Sequence, residues 1–146
     1  MENGKFYYND GDYKDGVWKN DSFKEGTVKI TYDNGDYYIG EYSNNKRNGK
    51  GTYYFREGDY EDGVWKNDSF KKGKVKFIYN NGDYYIGKYS NGKRNGEGEE
   101  LIDGIKYKGN YYNGLMHGDF TIINKKGKIS YCEYVYGEKK SICLII

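Results

Sequence analysis

Alternation of aromatic and small residues with polar residues is the dominant pattern along this chain. In segment 36–42, Tyr38, Gly40 and Tyr42 fall on alternate positions and point to one face of an extended backbone. A run of turn-forming residues follows at 43–49, and the alternation then resumes. The pattern predicts one antiparallel hairpin per unit, and no segment carries the apolar stripe of an amphipathic helix.

The hairpin pattern belongs to an internal repeat. Segments 11–51 and 58–98 agree at 32 of 41 positions without gaps, at an offset of 47 residues. Within them, Gly-Asp-Tyr opens shorter units every 23 or 24 residues. A fixed period of this length indicates a stacked array in which each unit contacts its neighbours, not a single closed core. We therefore predict an all-β fold, an elongated single-layer meander of antiparallel β-hairpins with no helices of note.

We expect one array to account for the whole chain. Its predicted parts are a partial unit, five full units and a degenerate cap, at 1–10, about 11–34, 35–57, 58–81, 82–103, 104–126 and 127–146. The units that begin at 11 and 58 are a second type that alternates with the first. They carry a tryptophan followed by predicted long turns, Lys19–Gly26 and Lys66–Gly73.

Composition favours a folded but thin structure. Leu, Ile, Val and Phe supply only 26 residues, a share that is typical of disordered chains. However, the chain has 20 tyrosines, two tryptophans and a net charge of only +2. Tyrosine buries its ring while its hydroxyl stays hydrated, which suits a sheet in which no atom is far from water. The tyrosines thus replace the usual aliphatic core.

The sequence also bears on the compartment. Its start has no apolar run, and no apolar stretch reaches 18 residues, so we expect neither a secretory signal nor a membrane-spanning helix. Two cysteines, Cys132 and Cys143, are too few for a disulfide framework. The expected location is the cytoplasm, with both cysteines reduced.

Three segments resemble the MORN (membrane occupation and recognition nexus) repeat, whose pattern is Tyr-x-Gly-x-aromatic-x-x-Gly-x-x-x-Gly-x-Gly. They begin at Tyr38, Tyr85 and Tyr107. The resemblance implies a role in interaction, dimerisation and cytoskeletal or membrane-associated assemblies. The main prediction is therefore a non-catalytic protein–protein interaction scaffold with a protein partner.

Aromatic residues that recur along one line predict where that partner binds. On an open sheet they would line a trough that accepts an extended peptide or an amphipathic helix. The predicted members of this aromatic trough are Trp18, Tyr38, Tyr42, Trp65, Tyr85, Tyr89, Tyr107 and Tyr111. A carbohydrate-binding module would use the same rings for sugar stacking, and it ranks third among the hypotheses.

Basic turns and a basic end support the alternative hypothesis, an adaptor that binds anionic phospholipids. The candidate headgroup-binding residues are Lys46, Arg47, Lys93, Arg94, Lys139 and Lys140. Against this, the first 103 residues hold 19 acidic and 17 basic side chains, so the wider field is nearly neutral. The same balance predicts no nucleic-acid partner, because such a partner needs a dominant positive face.

The C-terminal residues allow two interpretations. Segment 143–146 has the Cys-aliphatic-aliphatic-X form of a prenylation signal, which makes Cys143 a candidate lipidation site. Alternatively, segment 129–134 pairs with these residues across a short turn, which places Cys132 opposite Cys143. An exposed terminal strand at Ile142–Ile146 would also allow a homodimer.

The sequence offers no constellation for catalysis. The only histidine, His117, occupies a predicted turn position and has no acid–base partner. There is no Cys-x-x-Cys, nucleophile elbow, phosphate loop or metal-ligand cluster, and the carboxylates near Asp12 do not have calcium-loop spacing. We therefore expect no enzymatic activity, no cofactor and no bound metal.

Overall fold

The computed structural model describes residues 1–140 and 143–145, and within these the backbone forms strands and turns with no helix. The strands are β1 (Glu2–Tyr7), β2 (Tyr13–Lys19), β3 (Ser22–Thr31), β4 (Tyr37–Ser43), β5 (Lys46–Tyr54), β6 (Tyr60–Lys66), β7 (Ser69–Ile78), β8 (Tyr84–Ser90), β9 (Lys93–Ile102), β10 (Ile105–Tyr112), β11 (Leu115–Ile123), β12 (Ile129–Val135), β13 (Glu138–Lys139) and β14 (Leu144–Ile145). The predicted all-β class is confirmed.

The strands pair in the order in which they occur in the chain. The pairing runs from β1 to β13, and β14 pairs with β12. The result is an open antiparallel meander, as the hairpin pattern predicts. The chain divides into two compact units, Met1–Gly73 (unit 1) and Lys74–Ile146 (unit 2). The finer division into seven parts stays a prediction.

The tight turns are shorter than the sequence predicts. Segment 43–49 was expected to form one turn, but β5 begins at Lys46, and only Asn44 and Asn45 connect it to β4. These two residues have φ values of 50° and 61°. Positive φ at both positions defines a type I′ turn, whose backbone twist matches the right-handed twist of the two strands that it joins. Asparagine tolerates positive φ better than most residues do.

The predicted long turns Lys19–Gly26 and Lys66–Gly73 are wrong for the same reason. Asn20 and Asp21 form a two-residue turn with φ values of 50° and 57°, and Asn67 with the following aspartate repeats it. The residues after each turn belong to β3 and β7. These strands begin with polar, glycine-containing sequence, which has the composition of a turn.

A repeated bulge accounts for the other turn-forming residues. In β4 and β5 the register shifts between Gly40 and Tyr42, so that one residue of β4 faces three of β5. Gly49 lies in this bulge with φ 110°, a conformation that side chains with a Cβ rarely adopt. The same shift recurs in unit 2 between Gly87 and Tyr89. The bulge sets which strand residues face the aromatic side.

Aromatic rings form most of the buried interior of unit 1 and of unit 2. In unit 1 the buried cluster consists of Phe23, Val28, Tyr38 and Trp65, which are 0–7% exposed. In unit 2 the buried apolar side chains are Val75, Tyr85, Tyr111, Phe120 and Cys132. Because a single-layer sheet has no second layer to cover it, large rings that lie along the sheet are what exclude water from it.

The end of the chain is tied to β12. Both β13 and β14 pair with β12, and a disulfide joins Cys132 to Cys143 with 4.5 Å between the Cα atoms. The interpretation of this segment as a terminal strand is confirmed. The expectation of reduced cysteines is wrong, because opposed positions on paired strands bring the two sulfurs within bonding distance. Part of Ile142–Ile146, the predicted dimer segment, lies outside the described residues.

Candidate interaction surface

Two tyrosines of the repeat lie flat against glycine backbone. A Cβ added at Gly51 would lie 2.6 Å from ring carbon Cε2 of Tyr38, and one added at Gly98 would lie 2.6 Å from the hydroxyl oxygen of Tyr85. Each hydroxyl donates to the carbonyl three residues ahead in its own strand, at 2.8 Å. The glycines of the repeat therefore make room for the rings.

The burial of these two rings changes their acidity. Burial raises the pKa of Tyr38 to about 12, with Arg47 acting in the opposite direction. Burial likewise raises the pKa of Tyr85 to about 12, opposed by Arg94. Both side chains are 0% exposed, so they belong to the interior of the sheet face.

Arg47 closes the face of Trp65. Its guanidinium carbon lies 4.4 Å from the Trp65 ring centroid and 4.9 Å from that of Tyr53. Its Nε and its backbone N–H both donate to Asp68 Oδ1, at 3.2 and 2.8 Å, and Nη2 donates to the Asp68 carbonyl at 3.0 Å. The Asp68 N–H donates back to the Arg47 carbonyl at 3.0 Å. Arginine, tryptophan and aspartate form one closed contact, and only 19% of the Arg47 side chain is exposed.

Arg94 makes a related contact in unit 2, but with a buried carboxylate. Its guanidinium carbon lies 4.6 Å from the Tyr85 ring centroid and 5.5 Å from that of Tyr111. Nη1 donates to Glu100 Oε2 at 2.5 Å, and the Tyr111 hydroxyl donates to Glu100 Oε1 at 2.9 Å. Burial and the adjacent Glu100 raise the pKa of Tyr111. Glu100 is only 3% exposed, so Arg94 and Tyr111 supply the hydrogen bonds that water would otherwise donate to its carboxylate.

These contacts use both arginines that the sequence nominates for lipid headgroups. The neighbouring Lys46 and Lys93 are exposed. Lys139 and Lys140 are also exposed, and Lys140 Nζ lies 3.2 Å from a carboxylate oxygen of Glu138. Headgroup binding stays a prediction, and the exposed lysines are the residues that could perform it.

The aromatic trough divides into buried and half-buried rings. The buried members are Tyr38, Trp65, Tyr85 and Tyr111, and the half-buried members are Trp18, Tyr42, Tyr89 and Tyr107. In unit 1 the Phe23 ring bridges two of the half-buried rings, with centroids 5.3 Å from Trp18 and 6.5 Å from Tyr42. Contact with a partner therefore falls to the half-buried rings, and it stays a prediction for each of them.

His117 and Cys143 have structural partners. His117 lies in β11 and not in a turn, its ring centroid is 4.7 Å from that of Tyr136, and its Nδ1 accepts the Tyr136 N–H at 3.3 Å. Cys143 is bonded to Cys132. A prenyl thioether needs the same sulfur, so lipidation and the disulfide exclude each other.

The structure has a groove beside β1 that the sequence does not predict. It has a volume of about 660 Å³ and is lined by β1 together with the end of β2 and the turn that follows, including Phe6, Trp18 and Asp21. The Trp18 indole N–H donates to the Gly4 carbonyl at 3.1 Å. The signal that could have revealed the groove is the 47-residue offset, which maps Trp18 and Asp21 onto the closed contact described above.

Among residues 1–140 and 143–145, no helix is long and apolar enough to cross a membrane.

The hairpins that carry the buried tyrosines are similar to a known protein family. A family model described as MORN repeat matches residues 38–60, 85–103 and 107–118. A search of curated proteins finds no match. The matched segments begin at the same three tyrosines from which the sequence pattern starts.

Proposed function

Because the chain belongs to the MORN repeat family, whose repeats are commonly protein- or membrane-interaction modules and are generally non-enzymatic, we propose that it is a non-catalytic protein-binding scaffold. A partner segment, extended or helical, lies against the half-buried rings of the aromatic trough. We propose that it performs this role in association with membrane or cytoskeleton. The cytoplasmic location predicted from the sequence would require the Cys132–Cys143 disulfide to persist in a reducing compartment, where disulfides are rare.

The proposal rests on one observation: the half-buried rings of the trough are accessible to a partner and are also held in place by packing against neighbouring rings. Tyr42 lies beside the buried cluster of unit 1, and Tyr89 contacts Phe77 in unit 2 with 5.6 Å between ring centroids. Rings held in this way lose little conformational freedom when a partner covers them. Tyrosine also offers a broad apolar surface with a polar tip, which suits a binding surface in water.

The experiment compares two trough variants with a control on the opposite face. Tyr42→Ser and Tyr89→Ser each remove an accessible ring, whereas Tyr112→Ser removes a ring that is 50% exposed and contacts Tyr136 instead. Binding to each partner recovered with the wild-type chain is measured by titration, after circular dichroism has shown that every variant is folded.

We expect both trough variants to weaken binding at least about tenfold, which corresponds to about 1.4 kcal/mol. The control should bind like the wild type. Wild-type affinity in both trough variants would show that the aromatic face does not bind the partner.

Membrane binding is the second candidate, and exposed Lys46 and Lys93 favour it. Each basic residue near an anionic surface contributes about 1 kcal/mol, and salt screens this attraction. Co-sedimentation with phosphatidylserine vesicles should then fall steeply with salt and should weaken in the double variant Lys46→Gln/Lys93→Gln. Equal co-sedimentation of wild type and double variant would exclude these lysines.

A further inference from the structure

The groove beside β1 is an open form of the contact that Arg47 closes inside unit 1. The offset of 47 residues maps Trp18 onto Trp65 and Asp21 onto Asp68. Both tryptophans donate their indole N–H to a glycine carbonyl, at 3.1 and 3.0 Å. Both aspartates sit in the same two-residue turn with positive φ. The two sites are therefore built alike.

The two sites differ in what covers them. Trp65 is 3% exposed beneath the Arg47 guanidinium, whereas Trp18 is only half-buried. The Asp68 carboxylate, carbonyl and N–H all bond to Arg47. Within the described residues, no arginine side chain bonds to Asp21 as Arg47 bonds to Asp68, and no cation lies over the Trp18 ring.

From this repetition we infer that the groove binds an arginine side chain presented by an extended segment of a partner protein. The guanidinium lies on the Trp18 indole and donates to the Asp21 carboxylate, while the segment's backbone pairs with the free edge of β1. The inference rests on the proposed function as an interaction scaffold, and it specifies one site and the chemistry of its partner.

The chemistry favours arginine over lysine. A guanidinium is planar, so it can stack on an indole and donate to a carboxylate at the same time, whereas an ammonium is a compact, strongly hydrated point charge. The site in unit 2 also contains arginine and not lysine, since Arg94 lies over aromatic rings and donates to a carboxylate. Both occupied sites in this chain thus contain arginine.

The strand edge supplies the second element of recognition. All six residues of β1, Glu2–Tyr7, are exposed, and β1 is the first strand in the sheet order, paired with β2 alone. An exposed edge offers backbone donors and acceptors to an added strand. A second copy of this chain is a poor source of the arginine, because Arg47 and Arg94 are already bonded within it and the exposed Arg56 lies in a turn, not in an extended segment.

The chain itself provides the probe. A fluorescent peptide with the sequence of residues 37–47, amidated at its C-terminus, reproduces β4 and the residues up to Arg47. In β4 and β5, Gly40 pairs with Gly51, and the repeat offset maps Gly51 onto Gly4 of β1. The peptide can therefore pair with β1 in the native register and place its arginine over Trp18.

Binding is measured by fluorescence anisotropy with the full chain. The Asp21→Asn variant removes the charge and keeps the turn, since asparagine accepts the φ of 57°. The matched control is Asp68→Asn, which makes the same change at the occupied site and leaves the groove intact. A second peptide replaces its arginine with glutamine.

We expect the arginine peptide to bind the wild type and Asp68→Asn equally. Asp21→Asn, or the glutamine peptide, should bind at least about tenfold more weakly, because each loses a charge-assisted contact. Equal binding of the two peptides, wild-type affinity in Asp21→Asn, or no binding of the arginine peptide would overturn the inference. If these results arise while Tyr42→Ser and Tyr89→Ser still lose their partner, the scaffold function stands without this site.

Discussion

The contacts of the two arginines predict very different consequences when each is replaced. Arg94→Met keeps the length and packing of the side chain but removes the cation that faces Glu100, which is 3% exposed. Arg47→Met makes the same change where the carboxylate partner is Asp68, whose side chain is 45% exposed. The two variants therefore test whether burial of the carboxylate sets the cost.

The magnitudes follow from the solvation of the carboxylate that is left behind. Removing one partner of a buried ion pair costs about 3–5 kcal/mol, so Arg94→Met should lose about that much unfolding free energy. An exposed pair contributes about 0–1 kcal/mol and a cation–π contact about 0.5–2 kcal/mol, so Arg47→Met should lose about 1–2 kcal/mol. With a urea m-value of about 2 kcal/mol/M, the two midpoints should differ by about 1 M.

The assay is urea unfolding followed by far-ultraviolet circular dichroism. Addition of Glu100→Gln to Arg94→Met should recover most of the loss, because glutamine removes the buried charge and still accepts the Tyr111 hydroxyl. A loss in Arg47→Met as large as that in Arg94→Met would refute the reasoning. So would a failure of Glu100→Gln to rescue Arg94→Met.

Three further predictions concern the rings, the glycines and the disulfide. Burial raises the pKa of Tyr38 and of Tyr85 to about 12, above the value of about 10 for a free tyrosine. The contribution of these two groups to the unfolding free energy should therefore be constant below pH about 10 and should fall as the pH rises to about 12. Ionisation of both rings in the folded chain near pH 10, seen by phenolate absorbance, would contradict this. Gly51→Ala should lower the unfolding free energy, measured with urea, by about 1–3 kcal/mol because its Cβ would meet the Tyr38 ring. In the control Gly4→Ala, the Cβ would make an ordinary contact with the Trp18 indole at 3.6 Å, so the unfolding free energy should change by less than about 0.5 kcal/mol. Equal losses in the two variants would rule out ring packing as the cause. Cys132→Ser should lower the unfolding free energy by up to about 3 kcal/mol, since the disulfide closes a loop with a sequence separation of 11, and an unchanged urea midpoint would show that the bond does not stabilise the fold.

Strand periodicity was enough to predict the class of fold and the meander. Alternation at Tyr38, Gly40 and Tyr42 locates β4, and the repeat extends this assignment to the other hairpins. Turn lengths were predicted less well, because Asn48-Gly49 has the composition of a turn and instead forms a bulge within β5. Composition alone does not distinguish a turn from a bulge, since both need a residue with positive φ.

The candidate surface was harder to predict, because burial depends on which side chains meet across strands. Arg47 and Arg94 stand in matching turn sequences, and nothing in those sequences indicates that both fold onto rings. The repeat offset places Glu100 where the first copy has Tyr53. A glutamate in a polar repeat is expected in solvent, yet this one is enclosed by Arg94 and Tyr111. Register and ring packing, not residue type, bury it.

Repetition makes the edge of the array chemically similar to its interior. The contact among Arg47, Trp65 and Asp68 stabilises unit 1 from within, and Trp18 with Asp21 presents the same indole and carboxylate to the outside. A contact that contributes folding energy inside the array therefore becomes binding energy at its edge. It follows that an aspartate-to-asparagine change should lower stability at Asp68 and lower affinity at Asp21, although the two residues occupy equivalent turns.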